Sequence, residues 1–291
     1  MQHVKFSVLL QLFMSEKNLT RINKYLSEIG YCSRRRADKL IEQSRVKING
    51  GVAKMGTKIS DEDEVRVNGK LVTQPQKKMV YIAFNKPVGI VCTTDQMREK
   101  NNIIDYINYP TRIFPIGRLD KPSEGLIFLT NDGDIVNKIL RAENAHDKEY
   151  IVTVDKPISE RFIERMSRGV PILGTITKPC LVRVKSRFVF TIILTQGLNR
   201  QIRRMCEYLG YEVKKLKRSR IMSVELGNLK PGQWRDLTQA EMNEINQAVA
   251  GSSKTDSENV AHVEKTKQVI HVNQTAKKTS KNKLSLNKPS T

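Results

Sequence analysis

The sequence predicts an α+β protein with two unequal parts: a small N-terminal unit of two helices and short hairpins, and a larger unit on a mainly antiparallel sheet. Three observations predict it. Two amphipathic helical patterns are followed, between Val46 and Gly69, by two short alternating runs that each end in Asn-Gly. A polar stretch broken by proline, Gln74-Pro75-Gln76-Lys77-Lys78, separates this unit from the rest. Beyond it, strand-like and helix-like segments are interspersed without strict βαβ alternation, which favours antiparallel pairing. The chain then divides into an extension at 1–19, a first domain at 20–73, a linker at 74–79, a second domain at 80–250 and a tail at 251–291.

In the extension, Val4 to Met14 is apolar but interrupted by Lys5, Ser7 and Gln11. It is too short to span a bilayer and lacks a small-residue cleavage site. It reads as an extension, or translation begins at Met14, with a weak signal peptide as the alternative. In the first domain, Ile22, Tyr25, Leu26 and Ile29 share one helical face, and Gly30 stands where a C-cap belongs. Ser33 is placed to cap a second helix with Arg34, Arg35, Arg36 and Lys39 outward and Ala37, Leu40 and Ile41 inward. Val46-Lys47-Ile48 before Asn49-Gly50, and Val65-Arg66-Val67 before Asn68-Gly69, read as hairpin strands.

The second domain opens with the strand Val80 to Phe84 and the turn Asn85-Lys86-Pro87-Val88-Gly89. Leu126 to Thr130 reads as a buried strand closed by an Asn131-Asp132-Gly133 turn, and Ile135, Val136, Ile139 and Leu140 mark a helix. Lys148 to Val154 alternates, placing Tyr150, Val152 and Val154 on one face. Ser159 caps a helix ending at Gly169, and strands follow at Ile176 to Val184 and Phe188 to Leu194. A helix from about Asn199 to Leu209 carries the stripe Leu198, Ile202, Met205, Cys206 and Leu209, flanked by Arg200, Arg203 and Arg204. A last strand, Ile221 to Leu226, precedes a helix whose capping box is Thr238 with Glu241.

Composition narrows the partners. Of 291 residues, 38% are hydrophobic, enough for two compact cores. Lys and Arg outnumber Asp and Glu by 51 to 30, a net charge of +21, which favours a polyanion because neutralised phosphates release counterions. Charge alone does not separate RNA from DNA or an anionic membrane. The basic triplet Arg34 to Arg36 opens its helix, where cations oppose the macrodipole, so an anionic partner explains it better than a solvated face. The tail 251–291 has eight lysines and three acids, a net +5, and no aromatic residue; it is expected to be disordered and to add nonspecific RNA affinity. Cys32, Cys92, Cys180 and Cys206 are far apart, and the four histidines lack ligand spacing, so neither zinc nor a disulfide framework is indicated. That usage fits a reducing cytosol and a cytoplasmic protein away from membranes. No Gly-rich phosphate loop is present, which removes the common nucleotide-driven chemistries.

The most informative stretch is Ile116-Gly117-Arg118-Leu119-Asp120-Lys121-Pro122-Ser123-Glu124-Gly125. It sets one carboxylate in a Gly- and Pro-bounded loop beside a rigid strand, fixed yet reachable. On spacing alone, an Arg118–Asp120 surface ion pair is the simpler account. Taken singly, Tyr150 would be a core strand residue, and Arg203 a surface or phosphate-binding one.

Together, however, the Asp120 string, Lys86-Pro87-x-Gly89, Lys148-Glu149-Tyr150 and Gln201-Ile202-Arg203 resemble the motif set of pseudouridine synthases. The group is that of the small-subunit rRNA enzyme A, and the likeness runs from about Arg21 to Leu237. The N-terminal unit resembles the S4 RNA-binding domain, whose arginine-bearing second helix faces RNA. The resemblance implies that Asp120 is the catalytic aspartate, that Tyr150 stacks on the target base and assists proton movement, and that Arg203 forms a salt bridge to Asp120. Arg118 matches the arginine that helps displace the target from its helix. Further RNA contacts are expected from Arg34, Arg35, Arg36, Lys39, Arg200 and Arg204. The implied reaction breaks the N1–C1′ bond of uridine and rejoins the base through C5, so no atoms are lost and neither cofactor nor metal is required. Glycosidases pair two carboxylates instead; Glu124, close in sequence, reads as loop structure and leaves a second acid open. Large-subunit rRNA is the expected substrate and the chain is expected to act as a monomer. A tRNA target, or a noncatalytic RNA-binding or ribosome-assembly role, are the alternatives.

Overall fold

The computed structural model describes residues 19–73, 78–95, 99–140 and 146–250. The tail at 251–291, the extension before Leu19 and linker residues 74–77 lie outside them.

In the N-terminal unit, β1 (Thr20–Arg21) leads into α1 (Ile22–Glu28), and Ser33 Oγ accepts the Arg36 amide to start α2 (Arg34–Glu42). The strands β2 (Val46–Ile48), β3 (Gly51–Val52), β4 (Lys58–Ile59), β5 (Val65–Val67) and β6 (Lys70–Leu71) follow. β1 pairs with β4, and the rest form a sheet in the order β3-β2-β5-β6. Both Asn-Gly pairs turn as the sequence predicts: Asn49 and Asn68 take positive φ of 50° and 54°, each followed by a glycine in the same region. Ile22, Leu26, Ala37, Leu40, Val46 and Val65 share a core with Ile59 and Val67.

The larger unit runs β7 (Tyr81–Lys86), α3 (Ile103–Ile107), β8 (Phe114–Ile116), β9 (Glu124–Thr130), α4 (Gly133–Leu140), β10 (Lys148–Val154) and α5 (Glu160–Arg168). It continues through β11 (Pro171–Ile172), β12 (Thr175–Ile176), β13 (Leu181–Ser186), β14 (Val189–Leu194) and α6 (Gln201–Tyr208). β15 (Val213–Ile221), β16 (Val224–Glu225), β17 (Trp234–Asp236) and α7 (Gln239–Val249) complete it. Its main sheet is ordered β13-β14-β10-β15-β9-β7-β17, with β8 on β9 and β16 on β15. Every pairing in it is antiparallel except β15 with β9.

Both faces of this sheet are covered near β9. Leu126 and Phe128 point into the core made with α4 and α7, while Ile127 and Leu129 point into the one containing Phe84 and Ile103. Period-two alternation between two apolar layers is why this strand reads as an unbroken hydrophobic run. A third core packs α5 and α6 against β10 and β14.

Two sequence expectations change, and one turn gains a physical account. Asn131-Asp132-Gly133 closes β9 as expected and leads straight into α4, because Asp132 Oδ1 accepts the amides of Asp134 and Ile135. The strand expected over Ile176 to Val184 breaks into β12 and β13 around Pro179, which has no amide to donate. The strand expected from Ile221 to Leu226 is the tip of the β15–β16 hairpin, turned at Met222 with φ 54°. β15 itself is hidden in the sequence by Lys214, Lys215, Lys217, Arg218 and Arg220, which read as a charge run.

Candidate active site

The one parallel joint of the main sheet sets the site. Across it, Tyr150 of β10, Arg218 of β15 and Gly125 of β9 stand in register. Gly125 has φ +110°, and a Cβ there would overlap the Arg218 backbone oxygen and nitrogen, so only glycine lets the strands meet. Arg218 is 4% exposed, and its Nε donates to the Leu126 carbonyl at 2.6 Å. Its guanidinium carbon lies 6.0 Å from the centre of the Tyr150 ring, bracing that half-buried aromatic from beneath. The Arg218 Nη2 is buried without a partner.

The loop from Gly117 to Ser123 enters this joint through β9. It is held at both ends: the Leu119 amide donates to Cys92 Sγ at 3.3 Å, and the Gly89 amide donates to the Lys121 carbonyl at 2.8 Å. The Lys86-Pro87-x-Gly89 turn is therefore a support for the Asp120 loop. Lys86 is completely buried, and its Nζ donates to the carbonyls of Pro87 and Ile90, each at 2.8 Å. Burial lowers its pKa, with the Arg218 charge adding to that and Cys92, Asp120 and Glu124 opposing it.

Asp120 itself is half-buried, with Arg200 Nη1 at 3.7 Å from its Oδ2. The direct ion pair is thus made by Arg200, where the resemblance implies Arg203. Arg203 lies one turn into α6 and is committed elsewhere. Its Nη2 donates to Pro122 O at 3.2 Å and to Ser123 Oγ at 3.3 Å, and its Nη1 to Val213 O at 3.1 Å. Burial, and then the Arg200 charge, lower its pKa, while Asp120 opposes the shift. Arg200 escapes such commitments because it caps α6 in a left-handed conformation, φ 50°, with its side chain in solvent. Arg204 bonds back to the Asn199 carbonyl at 3.1 Å and so fixes the loop that carries Arg200. Arg118 is exposed two residues before Asp120, and Glu124 is the half-buried first residue of β9.

The sequence profile of RNA pseudouridylate synthase matches residues 80–208, and that of the S4 domain matches residues 20–65. A dual-specificity RNA pseudouridine synthase, RluF of Salmonella typhi, is 59% identical over 236 residues, covering 80% of this chain and 81% of the relative. The chain belongs to the RNA pseudouridine synthase family. A ribosomal large subunit pseudouridine synthase B of Bacillus subtilis is 33% identical over 235 residues, covering 78% of this chain and 96% of that one. A crystal structure of a pseudouridylate synthase, 32% identical, superposes with a TM-score of 0.57 over 77% of this chain and 99% of its own.

This synthase is an isomerase with RNA as its substrate; its fold sets Arg200 beside Asp120, Arg203 on the loop that follows it, Arg204 on the segment that carries Arg200, and Tyr150 against the core that contains Leu119. Arg34, Arg35, Arg36 and Lys39 are exposed on α2 in the S4 unit. One residue beside the candidate site, Arg218, escaped the sequence reading, and another, Lys86, was named there without a role. Arg218 sits in the strand disguised as a charge run, where the apolar residues Val213, Leu216 and Ile221 show no period-two alternation to reveal it. Lys86 lies in a motif that an ordinary β-turn explains equally well, and only burial distinguishes the two. Among the described residues, no group of His, Cys, Asp and Glu side chains could hold a metal, and no helix is long and apolar enough to cross a membrane.

Proposed function

We propose that this synthase isomerises uridines of large-subunit rRNA, with Asp120 as its catalytic carboxylate. One observation carries the assignment: the Asp120 loop is clasped by Arg203 and by the Lys86 turn, while the carboxylate stays reachable beside Arg200. Such clamping fixes a nucleophile without sealing it. An aspartate is ionised at neutral pH and engages the sugar or the base as the N1–C1′ bond breaks. The uracil then turns within the site, the C5–C1′ bond forms, C5 loses its proton and N1 gains one, so atoms and charge balance with no cofactor.

The target base must leave its stack, at a cost of a few kcal/mol. Tyr150, braced by Arg218, is the platform that receives it and assists the proton movement, and exposed Arg118 fills the vacated space. Arg200 offsets charge at Asp120. Arg34, Arg35, Arg36, Lys39 and Arg204 complete the RNA-binding set. The ribosomal target named for the Bacillus subtilis relative supports rRNA, and the dual specificity named for the Salmonella typhi relative supports a second RNA class, which we take to be tRNA. We take the chain to act as a monomer.

Incubating rRNA tritiated at uridine C5 with the protein tests this: isomerisation releases tritium, and nucleoside analysis counts the pseudouridine. Asp120→Asn should lower turnover by on the order of 10⁴-fold or more while leaving the Kd for RNA nearly unchanged. Equal loss of both would remove Asp120 from the chemistry. Tight binding by the wild-type chain with no pseudouridine in rRNA or tRNA would favour a noncatalytic ribosome-assembly role.

A further inference from the structure

A second concave site lies at the seam between the S4 unit and the sheet unit, away from Asp120. It is a cleft of about 250 Å³ whose lining includes Ser27, Glu28 and Arg34 from α1 and α2, and Arg112, Phe114 and Asn137 from the larger unit. Arg112 is its floor. Its Nη1 donates to Ser27 Oγ at 3.3 Å, and its guanidinium lies 5.7 Å from the Phe114 ring centre. Burial lowers its pKa, and the neighbour that opposes the shift is the Cys32 thiol. Arg34 reaches the same cleft from the opposite wall, its Nη2 lying against Gly133.

The acids at the seam are already occupied. Lys24 bonds Glu28 at 3.3 Å and Asp134 at 2.9 Å, which offsets charge at both acids. Two guanidiniums from different units therefore share one concave surface, and the carboxylate in its lining, Glu28, is ion-paired with Lys24. Arg34 is exposed, whereas Arg112 is partly removed from water at a cost that an anion bound between the two relieves. The planar guanidinium fork fits a phosphate better than a point charge does. Arg34 also belongs to the helix that carries Arg35, Arg36 and Lys39, on a protein of net charge +21 whose substrate is RNA.

We propose that this cleft is a phosphate-binding site, seating one phosphodiester of the RNA substrate between Arg34 and Arg112. Backbone binding there ties the S4 unit to the catalytic unit at the moment the RNA docks. The proposal rests on the family's RNA substrate and on the rRNA target proposed above.

The test is binding of the full chain to transcribed large-subunit rRNA across a series of KCl concentrations. Arg112→Gln should weaken binding about fivefold to tenfold and flatten the salt dependence by about 0.7 to 0.9, the loss of one phosphate contact. Asn137→Asp keeps both arginines, alters an exposed position and brings a carboxylate to the cleft. It should weaken binding to a similar degree with an unchanged melting temperature, so the result stands even if Arg112→Gln folds poorly. Arg168→Gln removes the same charge from an exposed site on α5 and should leave affinity at the wild-type value. Wild-type affinity and slope in a folded Asn137→Asp, or an equal loss in Arg168→Gln, would overturn the site. A melting shift with inorganic phosphate that Arg112→Gln abolishes, together with intact rRNA affinity, would make it a free-anion site and overturn the RNA assignment. Pseudouridine formation by wild type in the same rRNA is scored separately, so a wrong substrate is not mistaken for a wrong cleft.

Discussion

The Asp120 loop depends on side chains that bond to backbone around it. Arg203 gives up its fork to Pro122, Ser123 and Val213, and Lys86 gives up its ammonium to two carbonyls, so that the loop between them keeps one shape. Arg218 does the same for Tyr150. Arg218→Met should retain much of the packing but free the ring and strand the Leu126 carbonyl. Turnover should fall by about 10- to 100-fold through misplacement of the platform, with a stability loss of about 1–3 kcal/mol, read by single-turnover kinetics and urea unfolding. Lys86 makes a pH-dependent prediction. Its folded pKa lies below the ordinary 10.5, so the unfolded chain holds the proton more tightly. The cost of burying the ammonium is full below the lowered pKa and fades as pH rises toward 10.5. Wild-type stability relative to Lys86→Met should therefore rise across the alkaline range; a flat difference in urea midpoints from neutral pH to pH 10.5 would refute this.

At the level of elements, the β9–β15 joint matters most. It is the one parallel contact in an otherwise antiparallel sheet, and it brings the loop before β9 beside a tyrosine two strands away. Gly125 is the residue that permits it. Gly125→Ala should destabilise the protein by more than about 2 kcal/mol, since a positive φ and a backbone overlap act together. Turnover should fall with it, because Arg218 and Tyr150 lose their register to the loop. Urea unfolding together with tritium release checks both; a fully stable, active Gly125→Ala would show that the strands part without cost. Helix α6 contributes differently, its apolar stripe of Ile202, Met205 and Cys206 fixing where Arg203 points. Burial pushes the Cys206 thiol up to about 12, so that cysteine is packing rather than chemistry.

The whole molecule divides the work between two units. The S4 unit has its own core and meets the larger unit through Lys24–Asp134 and Arg112–Ser27, polar contacts at a basic seam. Deleting residues 1–73 should leave the Asp120 site assembled while weakening rRNA binding and flattening its salt dependence by several phosphate contacts. Filter binding across KCl concentrations, with single-turnover kinetics at saturating protein, separates the two effects. Unchanged affinity after deletion would remove the S4 unit from substrate recognition.

Much of this was legible in the sequence because it is written locally. Asn49-Gly50, Asn68-Gly69, Ser33, Ser159 and the Thr238–Glu241 capping box act within a few residues, and all behave as their chemistry requires. The Asp120, Tyr150 and Arg203 motifs were likewise visible as strings. What the sequence could not decide was who meets whom. The charge-dense β15, the single parallel joint, the exchange of Arg200 for Arg203 beside Asp120, and the Arg34–Arg112 seam all join residues far apart along the chain. Local propensity fixes the pieces, whereas burial between strands and helices selects the partners, and a buried arginine or lysine reads as an ordinary surface charge until its strand neighbours are known.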